Sequence, residues 1–568
     1  MTIPACTRRS AESVPKPQRH PGLWLDKYTI PKKQEEQKEQ MEPVISAKGP
    51  AADFEATAKR WGKVLGEIKG LVKFSASTAG PFTLHLSRAG ALENAGICLH
   101  PIHGFAYLPG SGLKGMARAF AEAVWLDSQP NKEQAWERIE DIFGWGPNDD
   151  RKKHLRDSKH PCHKRMVGDR EITEHSGSVV FLDAWPKAWP ELVMDICNCH
   201  HPKYYGEGHE PGDWENPIPV NFFAVKSDTA FDFALAPRTT ATDEKLLSLA
   251  RSFLAGALTH LGAGAKTAAG YGRFKLSDAE LSREVERVWG ESKYWQSKSY
   301  GLTLVTPAFL AGPNQNQNDC ELRPATLRGQ LRWWWRSLYR DWMDPKVLQA
   351  LEGLIWGDTK RAGAVTISVS PTNVRPVQFD YRDRFRVKDS FAHEKSLQNP
   401  QFGFSPGIFF MSYGMNDGGG KPARFYIPAG ARWTVELSAK PVAVAAKDGH
   451  SEALGASRGV TLSAAQVLKQ AEAALSMLTT YGGVGSKSRR GYGSIQTPNP
   501  MTLEDCESAS IELQELLGLH GQAGLLVLEP LTLEAKPGMN EWQVIDCLGY
   551  AYQGFCKANK HKELKVAL

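Results

Sequence analysis

Apolar positions along the chain follow two spacings: every second residue in short runs, and every third or fourth residue in longer ones. In the first half, the short spacing predicts strands at 82–86, 177–182, 220–223, 230–234 and 272–275. The long spacing predicts helices at 111–124, 132–143 and 243–260. The order then starts again, with a strand at 300–307, helices at 327–339 and 346–356, and strands at 363–367, 408–411 and 433–437. A helix at 463–481 and a strand at 494–495 close this second set, and helical stretches at 511–517 and 542–556 follow it.

Landmarks keep the two sets in register. Leu113-Lys114-Gly115-Met116-Ala117-Arg118 parallels Leu327-Arg328-Gly329-Gln330-Leu331-Arg332, Phe143-Gly144 parallels Trp356-Gly357, and Gly177-Ser178-Val179 parallels Gly363-Ala364-Val365. Matched motifs in one order mean a duplicated or fused domain. Hairpin-joined strands between two helical crossovers suit an α+β fold, a ferredoxin-like antiparallel sheet with helices on one face. The expected layout is a disordered arm, or a solvated helix, at 1–50, a first domain at 51–278, a linker at 279–298 with a charged helix near 281–289, and a second domain at 299–568 with a helical tail.

The closest internal match is a glycine-rich loop. Gly262-Ala263-Gly264-Ala265-Lys266-Thr267-Ala268-Ala269-Gly270-Tyr271-Gly272 returns 221 residues later as Gly483-Val484-Gly485-Ser486-Lys487-Ser488-Arg489-Arg490-Gly491-Tyr492-Gly493. Glycines at alternate positions permit positive φ and close backbone approach. Their N–H groups could form an anion nest, with the lysine adding a point charge. A tyrosine between glycines could offer a face on which a base stacks. Equally, the loop could be a tight helix-to-strand turn whose lysine is incidental. A Walker loop requires glycine directly before Lys-Ser/Thr, where Ala265 and Ser486 stand. A dinucleotide fingerprint follows a strand and opens a helix, whereas both copies follow helices.

Composition changes the picture modestly. The 568 residues are 41% hydrophobic, enough for two or more cores. A net charge of +6 tilts the chain toward anionic partners. Nine scattered cysteines and no recognisable signal peptide fit a reducing cytoplasm, and no apolar run approaches a membrane span.

Other constellations are candidates for chemistry. Arg328, Arg332, Arg336 and Arg340 fall at i,i+4 spacing with Trp333, Trp334 and Trp335 between them. Like charges so spaced oppose one another, so either an anion lies alongside them or acids from other segments neutralise them. His100 and His103 could act as acid and base in metal-free RNA cleavage, or serve structure. Cys162, His163, Cys197, Cys199, His200 and His201 raise the question of zinc, but their spacing is not that of a zinc knuckle pair. Insertions at 184–217 and 371–406 interrupt both halves; with Arg382, Arg384, Arg386 and Lys388, the second is either a mobile RNA-touching finger or a disordered surface loop. The charged stretch at 149–164 reads as a surface loop, and Arg8, Arg9, Lys16 and Arg19 in the arm either belong to an idle tail or could touch RNA.

These motifs resemble the RAMP superfamily of CRISPR proteins, and within it subunits of the type III-B (Cmr) effector complex. Tyr107-Leu108-Pro109-Gly110-Ser111-Gly112-Leu113-Lys114-Gly115, Phe181-Leu182-Asp183-Ala184 and the first loop look like the sixth Cmr subunit. Thr306-Pro307-Ala308-Phe309-Leu310, Leu322-Arg323-Pro324, Arg332-Trp333-Trp334 and the second loop look like the first. The resemblance implies RRM-related cores that bind RNA beside the glycine-rich loop, cap the 3′ end of the guide RNA and contact target RNA. It implies other Cmr subunits as partners, including the repeated backbone subunit. Cleavage would belong to that backbone subunit, so no catalytic residue, cofactor or metal is expected. The expected RNA-binding residues are Lys114, Arg118, Gly262, Gly264, Lys266, Thr267, Gly270, Tyr271 and Arg273 in the first half. In the second they are Arg328, Arg332, Arg336, Gly483, Gly485, Lys487, Ser488, Arg489, Arg490, Gly491 and Tyr492.

Overall fold

The structure is a computed structural model describing residues 5–558 except 30–36, 49–50, 87–91, 93–94, 146–165, 168–169, 172–174, 210, 212–214, 340–342, 344, 359–360, 381–389, 394–405, 416–422, 445–459 and 519–537. The chain divides into two units, Met1–Pro202 with Gly212–Trp295, and Lys203–Pro211 with Gln296–Leu568.

In the first unit, helix α1 (Ala51–Glu67) leads into strand β1 (Val72–Thr78), which buries Phe74, Ala76 and Thr78 at alternate positions as a half-buried strand must. Helices α2 (Gly110–Phe120) and α3 (Lys132–Phe143) follow, then strand β2 (Val179–Phe181). Asn131 caps α3 through its side chain, and Gly144 ends it at φ 82°, a conformation that glycine adopts without Cβ strain. An antiparallel hairpin, β3 (Leu192–Cys199) with β4 (Ile218–Val225), stands apart from the main sheet. Strand β5 (Ala230–Pro237), helix α4 (Glu244–Gly256) and strand β6 (Phe274–Leu276) complete the sheet. Its order is β6–β1–β5–β2, antiparallel throughout. Helices α2 and α4 cross closely: a Cβ on Gly256 would stand 2.3 Å from the Phe120 ring.

Helix α5 (Ala279–Glu291) buries Leu281, Val285, Val288 and Trp289 in the first unit's core, so most of the stretch expected as a linker is part of that unit. The described residues of the arm expected at 1–50 are in part helical, and some pack on the first unit. The arm carries helices Ala5–Ser13 and Gln37–Ile45, and Trp24, Leu25, Met41 and Val44 join the same core.

The second unit repeats the path. Strand β7 (Gln296–Leu304), helices α6 (Pro324–Tyr339) and α7 (Pro345–Trp356), strands β8 (Val365–Asn373) and β9 (Arg432–Ala439), helix α9 (Ala464–Tyr481) and strand β10 (Ile495–Gln496) build a sheet of order β8–β9–β7–β10. A short helix, α8 (Gly407–Met411), precedes β9. Helices α10 (Leu503–Leu517) and α11 (Glu541–Ala558) form the tail. Counted in chain order within its unit, each four-strand path runs 4-1-3-2.

Three expected strands are placed differently. The first sheet strand is β1, not 82–86; Phe82 and Thr83 form single bridges to Val225 and Ala265. The strand expected at 220–223 lies in the β3–β4 hairpin, outside the main sheet. The apolar run expected as a strand at 408–411 is helix α8, because a short uninterrupted apolar run has no period that separates the two states. No helix among the described residues is long and apolar enough to cross a membrane.

Candidate nucleic-acid interface

The two glycine-rich loops share the backbone bonds that anchor them to the preceding segment. Ala265 N–H donates to Thr83 O and Ser486 N–H to Phe309 O, both at 2.8 Å. Gly272 N–H donates to Pro81 O at 3.0 Å and Gly493 N–H to Pro307 O at 2.8 Å. Ala263 N–H meets Gly272 O at 2.7 Å and Val484 N–H meets Gly493 O at 2.8 Å. A Cβ on Gly264 would lie 2.2 Å from Thr83 O, and one on Gly485 2.5 Å from Phe309 O; each glycine also has φ above +80°. Thr267–Ala269 and Ser488–Arg490 then make matching 3₁₀ turns, closed by left-handed Gly270 and Gly491.

Lys266 and Lys487 occupy the left-handed region themselves, at φ 59° and 63°. That region costs an ordinary residue energy, and both copies keep a lysine there. Lys266 Nζ lies 4.7 Å above the Phe222 ring. Lys487 is half-buried; burial first, and then Arg490, holds its ammonium below the usual lysine range. Arg489 is exposed, and Arg490 Nη1 donates to Phe410 O at 3.4 Å. Thr267 and Ser488 are half-buried beside the lysines.

The loops differ from expectation in two respects. The N–H groups of Ala263, Ala265, Ala269, Gly270, Tyr271 and Gly272 all bond protein carbonyls, so those groups are not an open anion nest. The tyrosines are buried, Tyr271 at 4% exposure and Tyr492 at 0%, so each props its loop and offers no stacking face. The Tyr271 hydroxyl donates to Asp195 Oδ2 on β3 at 2.5 Å, while Tyr492 packs against Phe309 and Trp542. Arg273 is buried as well, with Nη1 donating to Thr259 O at 2.9 Å.

Two arginines of the α6 stripe, Arg332 and Arg336, share one buried carboxylate within the second unit. Glu352 on α7 is fully buried, and its Oε1 accepts from Arg332 Nε at 2.6 Å and Arg336 Nη1 at 2.8 Å. Burial alone would raise this carboxyl; Arg332 and Arg336 outweigh it and hold it below the usual range. Lys203–Pro211 completes the cluster: the Tyr205 hydroxyl donates to Glu352 Oε1 at 2.8 Å and accepts from Arg336 Nη1 at 3.0 Å. Shielding of that hydroxyl, followed by Glu352, pushes it up to about 12, so it stays a donor. Arg332 and Arg336 stack over the rings of Tyr205 and Tyr204. Arg332 Nη1 also donates to Gly357 O at 3.1 Å, matching Arg118 Nη1 on Gly144 O at 3.2 Å. Arg118 and Arg332 thus tie helix ends through bonds within their own units. Arg340 lies outside the described residues.

In the first unit, Lys114 on α2 is half-buried with Arg118 and Arg238 as the charges that reach it. Arg238 escaped the sequence reading, although a cation directly after the third sheet strand recurs as Lys440 and was a usable signal. The His100 and His103 rings lie 4.8 Å apart. His100 Nδ1 accepts from the backbone N–H groups of Ile102 and His103, both at 3.3 Å, which leaves its proton on Nε2.

Cys197 is exposed, Cys199 is half-buried, and His201 Nδ1 sits 3.8 Å from Glu215. Among the described residues no three His, Cys, Asp or Glu side chains converge as a metal site. Cys162, His163, the rest of the 149–164 insertion and Arg382, Arg384, Arg386 and Lys388 lie outside the described residues. In the arm, the Arg19 guanidinium bonds Val14 O and Glu12 O and covers Trp24, while the Arg9 side chain is exposed.

Comparison with known proteins adds a family. The model of the RAMP superfamily matches residues 79–275 and 301–496. The chain is 33% identical over 204 residues to CRISPR system Cmr subunit Cmr6 of Pyrococcus furiosus, covering 30% of this chain and 58% of the relative. It is 27% identical over 201 residues to Cmr subunit Cmr1-1 of the same organism, covering 35% and 44%. The chain thus spans about half the length of the curated relatives it matches. Similar solved structures include a cryo-EM structure of the type III-B Cmr-beta bound to cognate target RNA, at 20% identity, 43% and 71% coverage and a TM-score of 0.30. The crystal structure of Pyrococcus furiosus Cmr6 is 27% identical, with 36% and 97% coverage and a TM-score of 0.22.

Proposed function

The chain belongs to the RAMP superfamily, and on that premise we propose that it is a non-catalytic, RNA-binding structural subunit of a type III-B CRISPR effector complex. In this reading a Cmr6-like half and a Cmr1-like half are joined in one chain, a view supported by similarity to both proteins. The 4-1-3-2 antiparallel order supports reading each half as ferredoxin-like and RRM-related. The subunit caps the 3′ end of the guide RNA, contacts target RNA, and meets other Cmr subunits, the repeated backbone subunit among them, in the cytoplasm.

The observation that carries the reading is the lysine at the same left-handed position of two loops anchored by corresponding backbone bonds. A turn alone would be served better there by glycine. Phosphate contact accounts for a retained cation, with Lys266 in one loop and Lys487, Arg489 and Arg490 in the other. Such contacts position a strand without reading its bases, and each releases counterions. Replacing Lys487, Arg489 and Arg490 by alanine therefore weakens RNA binding in a filter titration and flattens the log–log salt slope by roughly 0.7 per lost contact. An unchanged affinity and slope, in a variant with wild-type circular dichroism, defeats the proposal.

The alternative is a metal-independent RNA endonuclease, and it draws on the paired imidazoles of His100 and His103. Purified protein incubated with labelled guide RNA in EDTA separates the two readings. Cleavage that disappears in His100→Ala replaces the structural reading with the enzymatic one.

A further inference from the structure

The tail helix α11 is built into the second glycine-rich loop. Asp546 on α11 is fully buried; its Oδ1 accepts from Ile408 N–H at 2.9 Å and its Oδ2 from Phe391 N–H at 3.1 Å. A Cβ on Gly549 would stand 2.3 Å from Gly407 O, so α11 and α8 cross at backbone contact. Ile545, Leu548 and Tyr552 fall three and four residues apart, on one face of α11. Ile545 and Leu548 lie against Gly491, where a Cβ would come within 3.7 and 3.4 Å of them, and Trp542 packs on Tyr492. Tyr552, one turn beyond Leu548, meets the Phe410 ring at 6.0 Å.

These contacts bring aromatic side chains to the cations of the loop. Phe410 O accepts from Arg490 Nη1 and from Tyr413 N–H, both at 3.4 Å. The Phe410 ring is half-buried, whereas Tyr552 is 39% exposed and Tyr413 is 68% exposed. Single exposed rings are ordinary; here two are joined to Phe410, whose carbonyl also fixes Arg490, and Arg489 is exposed on the same turn. In the first unit the ring that meets the loop lysine, Phe222, is buried. Fixed rings beside cations are the composition of a single-strand platform, in which rings take bases and cations take phosphates. An acidic protein surface would satisfy the cations but set carboxylates against the negative faces of the rings.

We propose that Tyr413 and Tyr552, seated on Phe410, form a stacking platform for an unpaired RNA base beside Arg489 and Arg490. The platform rests on the RNA-binding reading above and adds to it a contact with the base itself. Part of it comes from α11, which lies beyond the matched span 301–496. Every base has a π face, so the platform tolerates any sequence but requires a base that is free of a pairing partner. Asp546 and the Gly407–Gly549 crossing hold the rings in place before the strand arrives.

The test uses the full chain, an unstructured RNA and an abasic RNA of the same length, read by fluorescence anisotropy across a salt series. Tyr413→Ala and Tyr552→Ala are each expected to weaken the unstructured RNA about tenfold, with the salt slope unchanged because no phosphate contact is lost. Neither is expected to alter binding of the abasic strand. Tyr413→Phe and Tyr552→Phe keep a ring and are expected to bind as wild type does. Tyr413→Ala decides the matter if Tyr552→Ala melts early, because the Tyr413 side chain is mostly exposed. Wild-type affinity in both alanine variants, while replacing Lys487, Arg489 and Arg490 still weakens binding, overturns the platform and leaves the RNA-binding reading standing. Wild-type affinity in all of them overturns both. An equal loss for the abasic strand, or a flatter salt slope, also overturns the platform, since the tyrosines would then act through the backbone or the fold. Intact RNA binding with loss of a sister subunit from the purified particle overturns it in favour of a protein contact.

Discussion

Glu352 on α7 holds the Arg332 guanidinium on α6 at 2.6 Å, and that pair offsets the repulsion between Arg332 and Arg336 one turn apart. Arg336 and the Tyr205 hydroxyl use the same carboxylate oxygen. With Glu352 fully buried, removing its charge strands two desolvated arginines, a far larger effect than losing a surface pair. Glu352→Gln should destabilise the second unit by about 3–5 kcal/mol in urea unfolding. A loss under about 1 kcal/mol would mean that solvent reaches the cluster and screens it.

The left-handed lysines link stability to function. Lys266→Gly and Lys487→Gly relieve an ordinary side chain of a conformation costing about 1–2 kcal/mol, offset in part by glycine's greater unfolded-state entropy. Each variant should be neutral to about 1 kcal/mol more stable than wild type and should bind RNA more weakly. Glycine variants that bind RNA as wild type does would make the lysines ordinary turn residues.

Tyr271 separates propping from stacking. Its hydroxyl bonds the buried Asp195 carboxylate, so Tyr271→Phe should cost about 1.5–3 kcal/mol of stability. RNA affinity, measured where the variant is fully folded, should not change. A selective loss of RNA binding without loss of stability would show instead that the tyrosine acts on the ligand.

Local signals were legible in the chain where they repeat or cap an element. Gly144 ends α3 in sequence as it does in space, and the twin loops could be aligned from their glycines alone. Strand β1 was hidden because Ser75 and Ser77 alternate with Ala76 and Thr78, leaving Phe74 as its one large buried side chain. The partner of the arginine stripe was hidden for a different reason. Glu352 sits 20 residues from Arg332 on another helix, and Tyr205 lies 147 residues from Glu352 in what reads as an insertion of the other half. Periodicity reports the face of one helix and says nothing about what packs against it. The loop N–H groups were likewise misjudged, since their acceptors at Thr83 and Pro81 come from a distant segment.

Acid should loosen the first unit through His100. Burial first, then His103, lowers its proton affinity, with His20 acting the same way and Asp183 opposing. Its Nδ1 is already an acceptor for two backbone N–H groups, so protonation there would break both bonds. For a group whose folded pKa lies below its unfolded value of about 6.5, the stabilising contribution is present above that value. It is lost as pH falls through the folded pKa. Thermal unfolding followed between pH 7.5 and about pH 5 should therefore show a falling midpoint for the first unit. His100→Asn keeps a side-chain acceptor but cannot take up the proton, so its midpoint should fall less over the same window. Parallel curves for wild type and variant would assign the acid sensitivity to other groups. They would also remove the support that a neutral imidazole lends to His100 as a general base in the enzymatic alternative.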